Sequence, residues 1–339
     1  MNYDTKLLDS SKKSVEYAGE LIRQGEVVGM PTETVYGLAA NALDPEAVKK
    51  IFIAKGRPQD NPLIVHISRM EMLEGLVTEI PELAKKCAVE FWPGPLTMIL
   101  PKRGIIPYTT SAGLDTVGIR MPSNKTARAL IDAAGVPLAA PSANLSGSPS
   151  PTKAIHVYND MNGRIPCILD DGGCAVGVES TVIAFEGDSI RLLRPGFISV
   201  EDLKTVCENV TVDKGVTEAV AADAVVASPG MKYKHYAPKA DVTIIDGSLE
   251  DYRKYCAENA DKETVLMVFN ESDAEGMGLK AIVYGSDSKQ QAQKLFDVLR
   301  QLDELNIKKV FARCPEKTGV GLAVYNRLLR AAGFQVIKL

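Results

Sequence analysis

Cysteine and histidine are scarce in this chain of 339 residues, which has six of the first and three of the second. The cysteines (Cys87, Cys167, Cys174, Cys207, Cys256 and Cys314) lie far apart and form no C-x-x-C pair. A zinc knuckle or redox dithiol is therefore not expected, and the six read as reduced thiols of a cytosolic protein. With only His66, His156 and His235, a site built from several histidines has few makers. No Gly-Lys dipeptide occurs, which excludes a Walker A loop, and no Gly-x-Ser-x-Gly elbow offers a serine nucleophile. No apolar run approaches the ~20 residues of a membrane helix. The opening Met-Asn-Tyr-Asp-Thr-Lys lacks the apolar core of a signal peptide, so an intracellular protein with no membrane contact is expected. Basic residues number 39 against 43 acidic ones, a net charge of −4. Bulk neutralisation of nucleic acid is thereby disfavoured, and any such role needs a local patch.

What is present is an alternation of helix and strand signals. Ser14–Gln24 carries the 3.6-residue period (Val15, Ala18, Leu21, Ile22) and stops at Gly25. Asp44-Pro45 reads as an N-cap with proline at N1, opening a helix to about Ala54. Further helices are expected at 81–92, 124–134 and 200–209. Strands are expected at 26–30, 63–67, 96–100, 117–121, 138–140, 167–170, 181–185 and 190–193. From about 211 to 238 the period is lost, and the Pro- and Gly-bearing Ser228–Pro238 stretch reads as a linker. A cleaner alternation follows, with strands at 242–245, 265–269, 281–284, 309–312 and 335–337 and helices at 249–259, 288–305 and 320–332. The expectation is two α/β units, residues 1–210 and 239–339, joined by 211–238, the second one small and mostly parallel.

The chemistry-bearing residues concentrate between 31 and 196. Pro31-Thr-Glu-Thr-Val-Tyr-Gly-Leu-Ala39 places hydroxyls and a carboxylate directly after a strand. Lys55-Gly-Arg57-Pro-Gln-Asp-Asn61 puts two cations at a helix end, suited to a polyphosphate or, equally, to the solvated C-terminus of a helix. His66 follows on a strand, where it is either a ligand or a hydrogen-bonded edge histidine. Arg120 ends the strand Thr116–Met121 and suits a carboxylate. Ala139-Ala-Pro-Ser142-Ala-Asn144-Leu-Ser146-Gly-Ser-Pro-Ser150 has the small residues of an anion nest, or of a polar surface loop. Gly177-Val-Glu-Ser180 and Arg194-Pro-Gly196 add hydroxyls and a further cation. Gly319-Val-Gly321 begins like a dinucleotide fingerprint, but Val324 replaces its third glycine, so a tight turn before a helix is the simpler reading. Taken together, the set has hydroxyls and cations but almost no covalent nucleophile, which suits a nucleoside triphosphate whose reaction is driven by positioning and electrostatics.

In these segments, and in Phe91–Thr97, Asp170–Val182 and Ser228–Pro238, the chain resembles the Sua5/YrdC/YciO family in its long, two-domain Sua5 form. No motif position departs from the pattern. The resemblance implies an N-terminal YrdC-like domain with a twisted mixed sheet around a concave cationic cleft, and a smaller Rossmann-like parallel α/β domain. It implies a nucleotidyltransferase joining L-threonine, bicarbonate and ATP into L-threonylcarbamoyladenylate and pyrophosphate, for the N6-threonylcarbamoyl modification of adenosine 37 in tRNAs that read ANN codons. By position, Thr34, His66, Arg120, Ser142 and Ser180 would hold threonine. Lys55, Arg57, Asn61, Thr116, Ala140, Asn144, Ser150, Arg194 and Tyr233 would line the ATP site, with Lys55 and Arg57 stabilising phosphate charge and Tyr233 closing the linker over the cleft as a lid. Magnesium would come with ATP and have no dedicated protein cage. The tRNA threonylcarbamoyl-transferase machinery would accept the product, and weak tRNA binding is compatible with the family's cleft. Two other classes stand beside this one. An RNA-binding protein without chemistry fits poorly with the net charge, and a carbamoyltransferase module of hydrogenase maturation would need acylphosphatase and zinc-finger segments that are missing here.

Overall fold

The structure is a computed structural model that describes residues 2–59, 61–218 and 236–339. Its first sheet has eleven strands: β1 (Lys6–Leu8), β2 (Val28–Met30), β3 (Gly37–Asn41), β4 (Ile64–His66), β5 (Leu96–Pro101), β6 (Thr116–Arg120), β7 (Leu138–Ala139), β8 (Cys167–Leu169), β9 (Thr181–Glu186), β10 (Ser189–Arg194) and β11 (Val210–Val212). They lie in the order β1-β8-β2-β3-β7-β4-β6-β5-β9-β10-β11. Parallel pairs (β4 with β6, β5 with β9) alternate with antiparallel ones (β2 with β3, β5 with β6), so the sheet is mixed.

Both faces of this sheet are covered, which is why its short strands read as unbroken apolar runs. In β3, Leu38 and Ala40 enter one core, with Val48, Ile51 and Phe52 of the helix Pro45–Lys55. Ala39 enters the opposite core, with Val15, Ala18 and Ile22 of the helix Lys12–Arg23 and Leu130 and Ile131 of the helix Lys125–Ala134. The helix ends follow the expected chemistry. The Asp44 carboxylate accepts from Glu46 N, Pro45 occupies the first turn, and Gly56 takes the left-handed conformation that ends the helix.

The second sheet holds β12 (Asp241–Asp246), β13 (Thr264–Val268), β14 (Lys280–Val283), β15 (Lys309–Arg313) and β16 (Val336–Lys338), ordered β14-β13-β15-β12-β16. Every pairing is parallel, as the alternation of strands and helices requires. Val242 and Ile244 face the helices Ser288–Glu304 and Gly319–Ala331, while Ile245 faces Tyr252 and Cys256 of the helix Leu249–Asn259.

The two units share apolar packing, because Val35, Val176 and Val178 of the first belong to the same buried cluster as Phe296, Leu299 and Leu328 of the second. Gly177 marks a close approach between them. It has φ +84°, and a Cβ there would lie 2.4 Å from both Ala292 O and Gln293 Cα. The expected linker 211–238 falls largely on residues 219–235, outside the described residues. Its first residues instead form edge strand β11, parallel to β10, and the helix expected over 200–209 is shorter, Val200–Lys204. The chain turns there because Asn209 O accepts from Ile190 N and starts that pairing. Among the described residues, no helix is long and apolar enough to cross a membrane.

Candidate active site

The cleft grows from strand ends that the sheet order brings side by side. After β2 the chain turns within Pro31–Tyr36. The Thr32 hydroxyl holds the turn, accepting from Thr34 N and Val35 N (both 3.2 Å) and donating to Val35 O at 2.6 Å. Thr34 and Glu33 are thereby aimed at β6. Parallel pairing of β4 with β6 sets His66 opposite Arg120, and antiparallel pairing of β5 with β6 sets Thr97 opposite the same arginine. Thr97 in turn shares a 2.8 Å hydrogen bond with Ser180, just before β9. Arg194 ends β10 beyond a register shift and donates to Ser180 O (3.1 Å) and Oγ (3.0 Å).

Arg120 is fixed before any ligand arrives. It donates to Thr34 Oγ1 at 2.8 Å and makes a 2.6 Å ion pair with Glu33, both partners being buried. Burial alone would raise the Glu33 carboxyl, but Arg120 outweighs it and holds that carboxyl below its ordinary value. Next to it, burial and then the Arg120 cation push the His66 imidazole down to about 3, so the ring is neutral at physiological pH. His66 Nδ1 has no hydrogen-bond partner among the described residues.

The opposite wall is the 140–150 loop, clamped by Lys55. Lys55 Nζ donates to Ser142 O, to Asn144 O at 2.7 Å and, more weakly, to Asn144 Oδ1 at 3.4 Å. The Ser142 hydroxyl also donates to Asn144 Oδ1, at 2.6 Å. Burial pushes the Lys55 ammonium well below its usual pKa, and the nearby Arg57 cation adds to the effect. Carbonyls thus hold a desolvated cation at the mouth of a helix C-terminus, where an incoming anion would be a better partner.

These walls line an open cleft of about 790 Å³, counted with the solvent at its mouth. Of the residues singled out from sequence, Thr34, Lys55, Arg57, His66, Arg120, Ala140, Ser142, Asn144, Ser180 and Arg194 all line it. Asn61 is buried beside the lining residues Pro62 and Leu63, and Ser150 lies one bond behind the wall, donating to Glu179 Oε1 at 2.5 Å. Thr116 faces a neighbouring small cavity that shares Pro62, Leu63 and Ile64 with the cleft. Tyr233 lies outside the described residues.

Three participants escaped the sequence reading. Glu33, which pairs with Arg120, stands in the Thr32-Glu-Thr34 motif with no role assigned. Glu179 lines the cleft between Val178 and Ser180. Tyr236 also lines it, with its ring 5.1 Å from Phe296 of the second unit. The signal available for the two carboxylates was their place inside hydroxyl-rich motifs that turn out to be buried.

A family model named for Sua5, YciO and YrdC, and described as telomere recombination, matches residues 20–196. A second, described as the threonylcarbamoyl-AMP synthase C-terminal domain, matches residues 198–333. The chain is 44% identical to a threonylcarbamoyl-AMP synthase of Pyrococcus abyssi, covering 96% of each chain, and 45% identical to that of Bacillus subtilis, covering 98% of this chain and 97% of the relative. The crystal structure of P. abyssi Sua5 complexed with L-threonine superimposes with a TM-score of 0.90 at 42% identity, covering 99% of this chain and 100% of that one. The chain therefore belongs to the Sua5/YrdC/YciO family, in its two-domain Sua5 form.

Proposed function

We propose that the protein is an L-threonylcarbamoyladenylate synthase, converting L-threonine, bicarbonate and ATP into L-threonylcarbamoyladenylate and pyrophosphate. The observation that carries this reading is the convergence, in one cleft, of a preset arginine with a threonine hydroxyl on one wall and a desolvated lysine clamping a small-residue loop on the other. The relatives' name and the threonine bound to P. abyssi Sua5 agree with it.

In this reading the remaining N–H groups of Arg120 take the threonine carboxylate. Thr34, Ser142 and Ser180 contact the rest of the amino acid, and the neutral His66 ring offers Nδ1 to it. The threonine amine, once deprotonated, attacks bicarbonate to give a carbamate and water. A carbamate oxygen then attacks the α-phosphorus of ATP, and pyrophosphate leaves in line. The nucleophile comes from the substrates, so the protein's work is positioning and charge stabilisation. Lys55 and Arg57 face the phosphates, and Asn144, Arg194 and the Ala140 backbone border the nucleotide. Asn61, Thr116 and Ser150 support this wall from behind or beside it.

Magnesium enters with ATP. Among the described residues no cluster of three His, Cys, Asp or Glu side chains could hold a metal ion, and Glu179 is already tied to Ser150 and Arg327. An ion carried on the triphosphate and on water would need no cage of protein ligands, and none of the steps is routed through one. The product would pass, in the cytoplasm, to the tRNA threonylcarbamoyl-transferase machinery that modifies adenosine 37 of tRNAs reading ANN codons, and tRNA itself would bind weakly.

The test is pyrophosphate release. The reading predicts release only when ATP, L-threonine and bicarbonate are all present. Release without threonine, turnover of carbamoyl phosphate instead, or salt-sensitive tRNA binding with no release would overturn it.

A further inference from the structure

We infer that Arg327, on the helix Gly319–Ala331 of the second unit, is a positioning residue of the cleft: it neutralises Glu179 and keeps that carboxylate from opposing the triphosphate of ATP. The inference rests on the ATP site proposed above. Arg327 is fully buried, although it belongs to the unit that does not form the walls of the cleft. Its Nε donates to Glu179 Oε2 at 2.8 Å and its Nη1 to Pro195 O at 2.8 Å, with a longer contact from Nη2 to Glu179 O at 3.4 Å. Asn326 Oδ1 accepts a further 2.9 Å bond from Nη1.

One guanidinium thus holds the two segments on which Ser180 and Arg194 sit. Those segments already touch, because a Cβ on Gly196 would lie 2.3 Å from Thr181 N. Burial alone would raise the Glu179 carboxyl; Arg327 and then Arg194 reverse that, so Glu179 is held as an anion inside the cleft wall. Glu179, Arg194 and Arg327 together carry one net positive charge. Without Arg327 the sum is zero, and Arg194 becomes the nearest compensating cation for Glu179. The cleft then has one positive charge fewer, either because Arg194 is drawn from the substrate to Glu179 or because Glu179 is left unpaired, and either change disfavours phosphates.

The experiment is steady-state kinetics of pyrophosphate release, with thermal melting as the check on folding. The wild-type enzyme is measured first: if it is inactive, the proposed function fails and this inference is not what has been refuted. With an active wild type, Arg327→Met is expected to raise KM for ATP at least tenfold, and Arg327→Lys to stay within threefold. Glu179→Gln combined with Arg327→Met is expected to recover most of the lost ATP affinity, which a merely structural role for Arg327 would not produce. A KM for ATP within twofold of wild type in Arg327→Met, or a folded double variant no better than the single one, overturns the inference. Should Arg327→Met fail to fold, the double variant decides, because it removes the unpaired carboxylate: folding with KM near wild type supports the inference, and a tenfold deficit contradicts it.

Discussion

The eleven-stranded sheet pairs its strands in both directions and out of sequence order, and its strand ends and loops, with the end of the helix Pro45–Lys55, supply the lining of the cleft apart from Tyr236. The five-stranded sheet is parallel throughout, with its helices packed on both faces and its buried residues alternating strictly between two cores. A site that must grip an amino acid and a polyphosphate needs turns, bulges and buried charges, and these break the regular patterns that make a fold easy to read. The regular unit carries none of the walls, yet it reaches them. Arg327 pairs with Glu179, Arg300 pairs with Asp160 behind the 140–150 loop and donates to Pro149 O at 2.6 Å, and Arg330 donates to Gly215 O at 2.7 Å. The second unit therefore acts as a brace for the first.

Substitutions can break or sharpen that contrast. The largest effect is expected at Lys55, which clamps the loop and, in the proposed reaction, faces the phosphates. Lys55→Ala should lower kcat/KM by about 10²–10³-fold in the pyrophosphate assay, with a much smaller change in melting temperature. Acid comes next. His66 is held near a pKa of 3 in the fold against 6.5 outside it, and His156, at the contact with Asp297 of the second unit, near 4. The unfolded chain therefore binds more protons than the folded one between these values. Stability falls as pH drops from about 6.5 towards 3, by a few kcal/mol in total, and His66→Gln should flatten the slope of melting temperature against pH across that window. The depressed carboxyls Glu33 and Glu179 act in the same direction below about 4.5.

At the junction, Gly177→Ala combines a left-handed backbone with a collision against Ala292 and Gln293. It should cost about 2–4 kcal/mol, seen as a lower melting temperature. Activity should fall with it, because the brace is displaced; a variant that melts early but keeps full ATP affinity would show the two units to be independent. The smallest effect is expected at Ser248, whose hydroxyl accepts from Asp251 N at the start of the helix Leu249–Asn259. Ser248→Ala should cost about 1 kcal/mol in melting experiments and leave kcat/KM unchanged.

Legibility in the sequence follows the same divide. All the strands expected between 242 and 337 form within two residues of their expected bounds, because each buried strand lies next to a periodic helix. In the first unit β1, β3 and β11 went unforeseen, as did the helices Met70–Leu76, Tyr108–Ser111 and Ala154–Met161. Three-residue strands show no period. β3 emerges from a motif that reads as a loop, and its pairing with β7 depends on residues nearly a hundred positions away. Ten of the proposed site residues line one cleft because their motifs sit at strand ends. The charge pairs behind them were not legible, since Glu179 and Arg327 are 148 positions apart and nothing local to either one marks the contact.

The central claim is that this cleft joins three substrates into one adenylate. The most direct measurement is mass spectrometry of the product formed from ATP, L-threonine and ¹³C-bicarbonate by the full-length protein. The account predicts a threonylcarbamoyladenylate heavier by one ¹³C than that formed with unlabelled bicarbonate, appearing together with pyrophosphate. Threonyl-adenylate without the labelled carbon, or ATP hydrolysed with no adenylate formed, would contradict it.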